Sequence, residues 1–231
     1  PDQNNAILDV NFDGVYILDG DIVSPTVMIT SILKNEKSLI LKKDTLGLEF
    51  FLKKPCDNCQ FEKINFSSPL VTWSEATENS SFKVEFRPGP LDDGIYTLRV
   101  LTEDLGVDKP YEINFEVINE STITNFYPYP NPFSTSTRFV FTVTGSEVPD
   151  QIKVQIMTVT GRVVREILQD ELGPIRIGNN ISEFAWDGTD EFGDQLANGV
   201  YIYRVLVRKD GQFVELRGTA GDKAFKQGYG K

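Results

Sequence analysis

Histidine is absent from the 231-residue sequence. Its absence removes the commonest general base and metal ligand of proteins, together with any nucleophile that a histidine activates. The sequence also lacks a G-x-S-x-G turn, a glycine-rich phosphate loop and a cluster of metal-ligating side chains. We therefore expect this chain to be non-catalytic and to bind no cofactor.

Long hydrophobic runs and positive charge are also scarce. Apolar residues make up 40% of the chain, enough for a core, but they stand in short runs, so we expect no transmembrane segment. Only 23 Lys and Arg residues accompany 34 Asp and Glu residues, which leaves a net charge of −11. Because so acidic a chain is a poor partner for a phosphate backbone, we expect no nucleic-acid binding.

Cysteine occurs only as Cys56 and Cys59, in KPCDNCQF. A single C-x-x-C is half a zinc site, and Pro55, Asp57 and Asn58 predict a turn instead of the helix start typical of a redox motif. We favour a disulfide at a loop tip over a pair of reduced thiols. Such a disulfide indicates an oxidising, extracytoplasmic location.

Alternation of apolar and polar residues is what the sequence does contain. Phe82, Val84 and Phe86 alternate with charged residues, and this period of two predicts a half-buried strand. Short segments of this kind, separated by turn residues, indicate an all-β chain of β-sandwiches. The first half contains the predicted strands Leu8–Phe12, Val15–Leu18, Val27–Leu33, Leu46–Leu52, Phe61–Phe66, Leu70–Trp73, Phe82–Phe86, Ile95–Leu101 and Tyr111–Val117. The second half contains Arg138–Val143, Val154–Val159, Val163–Leu168, Ile181–Trp186, Val200–Val207 and Phe213–Arg217.

A proline-rich segment, residues 118–137, divides the chain. Pro128, Pro130 and Pro132 fix φ and remove backbone donors, so the segment must be an extended connector or a protected edge strand. We place a domain boundary here, which gives an acidic domain 1–122 and a second domain 123–231.

One motif occurs in both halves. Leu91–Val100 and Leu196–Val205 share the pattern L-x-x-G-[IV]-Y-x-[LY]-R-V. Tyr96 and Tyr201 each follow a turn at the start of a long strand. We predict that both are tyrosine corners, in which the ring packs on the core and the hydroxyl bonds to the backbone a few residues upstream.

Three aspartates in WDGTDEFGD, Asp187, Asp190 and Asp194, suggest a calcium site. An EF-hand loop requires glycine at its position 6, whereas the sixth residue from Asp187 is Phe192. Aspartate is common in tight turns because it accepts hydrogen bonds from its own backbone. We favour turn-forming aspartates and keep calcium binding as the weaker alternative.

Four motifs stand in order in the second half. They are Tyr129-Pro130-Asn131-Pro132-Phe133, then Gly161-Arg162, then Trp186-Asp187-Gly188, and then Leu196 to Tyr201 with Gly199. Together they resemble the type A C-terminal sorting domain of the type IX secretion system of Bacteroidota, and the overlapping immunoglobulin-like domain of the flagellar hook-capping protein. The resemblance covers about residues 124–210. Together with the strand pattern of the first half, it implies two consecutive immunoglobulin-like β-sandwich domains joined by the proline-rich connector.

The resemblance also implies partners and a location. Domains of the sorting family are read by an outer-membrane translocon and its shuttle protein, and a sortase then removes the domain and attaches the cargo to the cell surface. Cleavage is expected between residues 119 and 126. Members of the family close with a short basic strand, and the last residues, GDKAFKQGYGK, resemble the approach to it.

The first half resembles, less distinctly, the sandwich that precedes the sorting domain in large gingipain-like cysteine peptidases of Bacteroidota. That resemblance implies that the parent protein is a peptidase, although this chain has no histidine for a Cys-His pair. The alternative hypothesis is an adhesin-like or carbohydrate-binding pair of sandwiches. It is motivated by the aromatic residues Trp73, Trp186, Phe192 and Tyr203.

Overall fold

The chain forms two compact units, Pro1–Asn119 and Glu120–Lys231. The computed structural model describes residues 6–35, 41–102, 110–209, 212–215 and 229–230. Within these ranges, each unit contains two β-sheets and its own hydrophobic core. The prediction of an all-β chain of immunoglobulin-like β-sandwiches is confirmed.

The described residues of unit 1 form nine strands in two sheets. The first sheet has the order β1-β3-β7-β6, from β1 (Ala6–Phe12), β3 (Ile29–Asn35), β7 (Phe82–Phe86) and β6 (Val71–Ser74). The second has the order β2-β9-β8-β4-β5, from β2 (Asp21–Val23), β9 (Tyr111–Val117), β8 (Gly94–Thr102), β4 (Leu48–Lys53) and β5 (Glu62–Ile64). Strand β2 pairs with β9 in parallel, and the other pairs are antiparallel.

The core of unit 1 lies between the inward faces of these strands. Alternate residues of β7 and β9 are buried, as the period of two predicts. Phe12 and Tyr96 both pack on Phe115, with ring centroids 5.2 and 5.4 Å apart. Aromatic pairs at such distances add to the stabilisation that burial alone provides.

The predicted strand Val15–Leu18 is wrong. Asp13 and Gly14 close a tight turn in which only Val15 bridges back to Phe12, and Leu18 is 77% exposed. The Asp21 carboxylate accepts the Leu18 amide, so this segment forms a second turn before the short strand β2. The hydrogen bonds of these two turns therefore decide the conformation of this segment, despite the strand propensity of its four apolar residues.

Unit 2 has a three-stranded sheet facing a larger one. The first has the order β10-β11-β14, from β10 (Ile123–Tyr129), β11 (Arg138–Val143) and β14 (Gly178–Ile181). The second has the order β13-β12-β15-β16, from β13 (Val163–Leu168), β12 (Ile152–Thr158), β15 (Tyr201–Lys209) and β16 (Gln212–Glu215). A two-residue strand β17 (Tyr229–Gly230) also pairs with β15, and a short helix α1 (Gln169–Leu172) follows β13.

The proline-rich segment begins as an edge strand, the second of the two forms that its prolines predict. Among the described strands, β10 pairs with β11 alone, and its register shifts between Thr124 and Tyr127. Asn125, with φ of 51°, lies in this bulge, while Phe126 points into the core and is buried. A bulge and a proline both discourage a further strand from pairing with an edge.

The predicted strand Ile181–Trp186 is largely wrong, since β14 ends at Ile181. The Ser182 hydroxyl accepts the Phe139 amide at 2.9 Å and donates to the Phe184 carbonyl at 2.7 Å. The Arg138 guanidinium also donates to the Ser182 carbonyl. These bonds replace a sheet ladder with a bend. Residues 216 and 217 of the last predicted strand, and most of the GDKAFKQGYGK stretch, lie outside the described residues.

Candidate functional site

Three of the four ordered motifs of the second half meet at one pocket in unit 2, with a volume of about 310 Å³. Pro132 and Phe133 line it from the proline-rich motif, Trp186 from the tryptophan motif, and Gly199 and Tyr201 from the tyrosine motif. Pockets of this size are ordinary ligand sites. The structure therefore brings together residues that lie far apart in the sequence.

The proline-rich motif leaves β10 and crosses the pocket. The Tyr129-Pro130 and Asn131-Pro132 peptide bonds are both cis, and all four of these residues are exposed. Phe133 turns inward, and its ring centroid lies 5.5 Å from that of Trp186. The motif therefore presents exposed residues at the surface and one aromatic ring to the pocket.

Trp186 is a fixed anchor. Its side chain is 5% exposed, and its indole N–H donates to the Thr189 carbonyl at 2.8 Å. Its backbone exchanges two hydrogen bonds with Thr137, each 2.8 Å long. Gly188 follows with φ of 84°, a left-handed conformation that glycine adopts without strain, and its carbonyl accepts the Leu196 amide.

Tyr201 is a tyrosine corner, as its motif predicts. The hydroxyl donates to the Ala197 carbonyl at 2.7 Å, and the ring meets Trp186 edge-on with centroids 5.8 Å apart. Tyr96 makes the equivalent bond in unit 1, to the Asp92 carbonyl at 3.2 Å, and burial raises the pKa of its hydroxyl. Both tyrosines therefore hold the turn before a long strand.

Among the described residues that line the pocket, Thr137 alone has a buried side-chain polar atom without a hydrogen-bond partner. It is 2% exposed and lines the pocket, yet its hydroxyl makes no hydrogen bond there. Buried hydroxyls are usually bonded, so an exception requires an explanation. Sequence reasoning missed Thr137, because nothing distinguishes it from the other hydroxyl residues of FSTST before the fold is known.

The Gly161-Arg162 motif lies elsewhere, in the hairpin between β12 and β13. Gly161 has φ of 89°, and its amide donates to the Thr158 carbonyl at 2.9 Å. The Thr158 amide in turn donates to the Arg162 carbonyl, and Arg162 is exposed at the turn. This motif therefore builds a tight turn that presents a cation to solvent.

The aspartates proposed as weak calcium ligands bond to their own loop. Asp187 accepts the amide and hydroxyl of Thr189, and these bonds lower the pKa of its carboxyl. Asp190 accepts the amides of Phe192 and Asp194 at 2.9 and 3.0 Å. Among the described residues, no three His, Cys, Asp or Glu side chains are grouped to hold a metal ion.

Glu191 attaches this loop to the neighbouring strand β13. Its carboxylate accepts the Glu166 amide at 3.0 Å and pairs with Arg165 at 3.1 Å. The Glu166 amide bond, with help from the nearby Arg165, lowers the pKa of Glu191. The next residue, Phe192, is 90% exposed at the loop tip.

Two of the four aromatic residues proposed for carbohydrate binding are buried. Trp186 and Tyr203 are buried in the core of unit 2, whereas Phe192 is exposed on its loop. Trp73 belongs to unit 1, is 44% exposed and stacks on Phe82 with centroids 5.8 Å apart. Only two of the four rings are therefore exposed, one in each unit.

Cys56 and Cys59 form a disulfide in unit 1, with their Cα atoms 5.3 Å apart. The bond lies in the turn between β4 and β5, where the Cys56 amide donates to the Lys54 carbonyl. Pro55 in this turn packs against Gly94, the first residue of β8. The disulfide therefore closes a loop tip that touches the neighbouring strand.

Comparisons with known proteins find only solved structures of low similarity to this chain. No family model matches the sequence, and no curated protein matches it significantly. Dimeric latent PorU from Porphyromonas gingivalis is 19% identical over 94% of this chain and 20% of that chain, with a TM-score of 0.35. A biofilm-associated protein BSP domain is 10% identical over 88% of this chain and 30% of that chain, with a TM-score of 0.26.

A titin fragment is 12% identical over 90% of this chain and 62% of that chain, also with a TM-score of 0.26. This chain thus spans less than two thirds of each of these three proteins. Within the described residues, no helix has the length and apolar character needed to cross a membrane.

Proposed function

We propose that unit 2 is a secretion and surface-sorting module of the type IX kind, and that unit 1 is a spacer between it and the cargo. The observation that carries this proposal is the ordered set of four motifs from Tyr129 to Tyr201. The partners are an outer-membrane translocon, its shuttle protein and a sortase, and the protein acts at the cell surface. Unit 1 follows a larger secreted region of the gingipain-like kind.

The arrangement of the motifs supports a recognition role. Buried members, such as Trp186 and Gly188, stabilise the domain, whereas Tyr129, Pro130 and Arg162 are exposed and available to a partner. Exposed side chains on a rigid scaffold are typical of recognition surfaces. The sorting signal is therefore a folded surface. Along the sequence, its motifs combine buried residues that stabilise the domain with exposed residues that contact the partner.

Burial along the expected cleavage window of residues 119 to 126 supports a more specific proposal. Ile123 and Phe126 are buried in the core of unit 2, so a peptidase could reach the bonds around them only after β10 separates. The Asn119 amide donates to the Asp93 carboxylate of unit 1, and the Glu120 carbonyl accepts the Thr144 hydroxyl of unit 2. We propose that the sortase cuts at the exposed Asn119–Glu120 junction.

A reporter fusion tests the recognition role. The chain is fused, with any native residues that follow it, to the end of a periplasmic reporter in a Bacteroidota host, and surface reporter is quantified. Arg162→Ala should lower surface export, since it removes an exposed motif cation without disturbing the core. The matched variant Arg176→Ala removes an exposed cation outside the motifs and should export normally. Equal export by both variants would show that the export machinery does not recognise Arg162.

A further inference from the structure

We propose that the outer edge of strand β1 in unit 1 is a self-association site, at which β1 of a second copy of this chain adds as an antiparallel strand. The proposal concerns unit 1 and is independent of whether unit 2 acts in sorting. It follows from the regularity of β1, the direction of its outward backbone groups and the pattern of its side chains.

Strand β1 is a long and regular edge of its sheet. It pairs with β3 over seven consecutive residues without a register shift, and its sequence, AILDVNF, contains no proline or glycine. In the part of the chain that the structure describes, its other side pairs with no strand. A row of unpaired N–H and C=O groups is a template for a further strand, and proteins usually protect such an edge.

The other outer strands of the described sheets are short or protected. Strand β10 has its bulge and its prolines, while β2, β5, β6, β16 and β17 have only two to four residues each. On β13 the Glu191 amide donates to the Val164 carbonyl, and the Glu191 carboxylate accepts the Glu166 amide. On β14 the Asn180 side chain donates to the Gly178 carbonyl at 2.8 Å. Among the described residues, β1 has none of these devices.

The turn after β1 shows which backbone groups face outward. The Phe12 amide donates to the Val15 carbonyl at 2.8 Å, and the Val15 amide donates to the Phe12 carbonyl at 3.0 Å. Both backbone groups of Phe12 therefore point away from β3. Because this direction alternates along an antiparallel strand, the N–H and C=O groups of Ala6, Leu8 and Val10 also face the outer edge.

Such an edge selects an extended polypeptide, because another backbone supplies donors and acceptors at the same spacing. In a two-fold pair centred on Leu8, each Leu8 lies opposite the Leu8 of the second copy, and each Ala6 lies opposite a Val10. Every one of these residue pairs exchanges two backbone hydrogen bonds. A second copy also satisfies both outer edges at once, since the same surface serves on each side of a two-fold axis.

The side chains favour this occupant and this register. Leu8 and Val10 pack in or against the core, so the paired strands continue one apolar face. On the outward face, Ile7 is 45% exposed, and Asp9, the only charged residue of β1, forms an ion pair with Lys34. The pair centred on Leu8 sets Ile7 opposite Asp9. A pair centred on Asp9 would set two carboxylates opposite one another, and like charges in that position are destabilising.

Sedimentation equilibrium of the full chain, from micromolar to millimolar concentration, tests the proposal. A single strand pair is a small interface, so we expect a weak dimer whose population rises with concentration. Ile7→Lys places a cation opposite Asp9 of the second copy, and Ile7→Glu places a carboxylate there. Because each substitution acts twice across the axis, the dimer dissociation constant should be about fourfold or more lower for the lysine variant than for the glutamate variant.

Two features of the chain separate this effect from others. Within one copy, residue 7 lies opposite Lys34, so the lysine variant is the less stable monomer, and an effect on folding alone would have the opposite sign. The matched variants Ile181→Lys and Ile181→Glu make the same changes in net charge at an exposed isoleucine of the edge strand β14. Their dissociation constants should equal one another.

Amide hydrogen exchange locates the contact. The Leu8 and Val10 amides should exchange more slowly at high protein concentration than at low concentration, whereas the Asp9 amide, which faces β3, should not change. A dimer that leaves the Leu8 and Val10 amides unchanged overturns the proposal. A wild-type chain that remains monomeric at millimolar concentration also overturns it, as does a dissociation constant for Ile7→Lys that equals or exceeds that for Ile7→Glu.

Discussion

Replacement of Thr137 by valine should stabilise unit 2, although most substitutions in a core destabilise it. The side chain is almost fully buried, and its hydroxyl has no partner among the described residues. A buried polar group without a partner costs about 1–3 kcal/mol. Valine has the same branched shape and the same preference for strands, so the exchange removes this cost while it preserves the packing. We expect the free energy of unfolding to rise by about 1 kcal/mol or more.

Thr142 provides the matched control on the same segment. It lies in β11 and is buried, but its hydroxyl donates to the Asn179 side chain at 2.8 Å. Thr142→Val should therefore lower the free energy of unfolding by about 0.5–1.5 kcal/mol. The two valine substitutions are chemically identical and should act with opposite signs.

Tryptophan fluorescence can follow unit 2 within the full chain. Trp73→Phe in unit 1 leaves Trp186 as the single tryptophan, and urea unfolding of each variant is then measured in that background. An unchanged slope with a higher midpoint indicates a gain in stability alone. If Thr137→Val destabilises as much as Thr142→Val, its hydroxyl is bonded in solution and our reasoning about Thr137 is refuted.

For three further substitutions, the structure determines the direction of the effect on stability. Tyr201→Phe removes the bond to the backbone and should lower the unfolding free energy of unit 2 by about 1 kcal/mol in the same urea assay. Gly94→Ala should lower the thermal midpoint of unit 1, because φ is 138° and the new methyl carbon would lie 2.4 Å from Pro55. Folding lowers the pKa of Glu191 below its unfolded value, which is near 4.5. Its contribution to the free energy of unfolding is therefore complete above that unfolded pKa and is lost as the pH falls through the folded pKa. In the Glu191→Gln variant, the free energy of unfolding of unit 2 should therefore fall less steeply as the pH is lowered.

Each of these changes has a control on the same chain. Tyr127→Phe alters an exposed tyrosine and should leave stability unchanged. Gly161→Ala introduces a methyl group into open space, as far as the described residues show, and should cost only about 1–2 kcal/mol for the left-handed backbone. Glu147→Gln, at an exposed position, should leave the acid profile as it is. A flattened profile for Glu147→Gln would contradict the assignment to Glu191.

The sequence predicts the fold class well because its signal is local. The alternation in β7 and β9 depends on neighbouring residues, and both strands have the predicted bounds. Both tyrosine corners also follow from a short motif. The errors occur where side chains compete with the ladder, at Val15–Leu18, where Asp21 caps a turn, and after Ile181, where Ser182 bonds to Phe139.

The candidate site could be predicted only in part, because it depends on contacts between distant segments. The motifs identify Trp186 and Tyr201, but their spacing along the chain does not indicate that their rings meet Phe133 in one pocket. Thr137 carries no signal at all, since its importance arises because its hydroxyl has no partner among the residues that the structure describes. Packing of this kind is determined by the tertiary fold and not by local pattern.

The most direct test of the proposed function compares export in two hosts. A reporter fused to this chain, with any native residues that follow it, is expressed in a Bacteroidota host and in the same host without its type IX translocon. We predict surface reporter in the first host and periplasmic reporter in the second, while a fusion to a known sorting domain behaves in the same way. Retention of our fusion in the periplasm of both hosts, while the known domain is exported, would contradict the account.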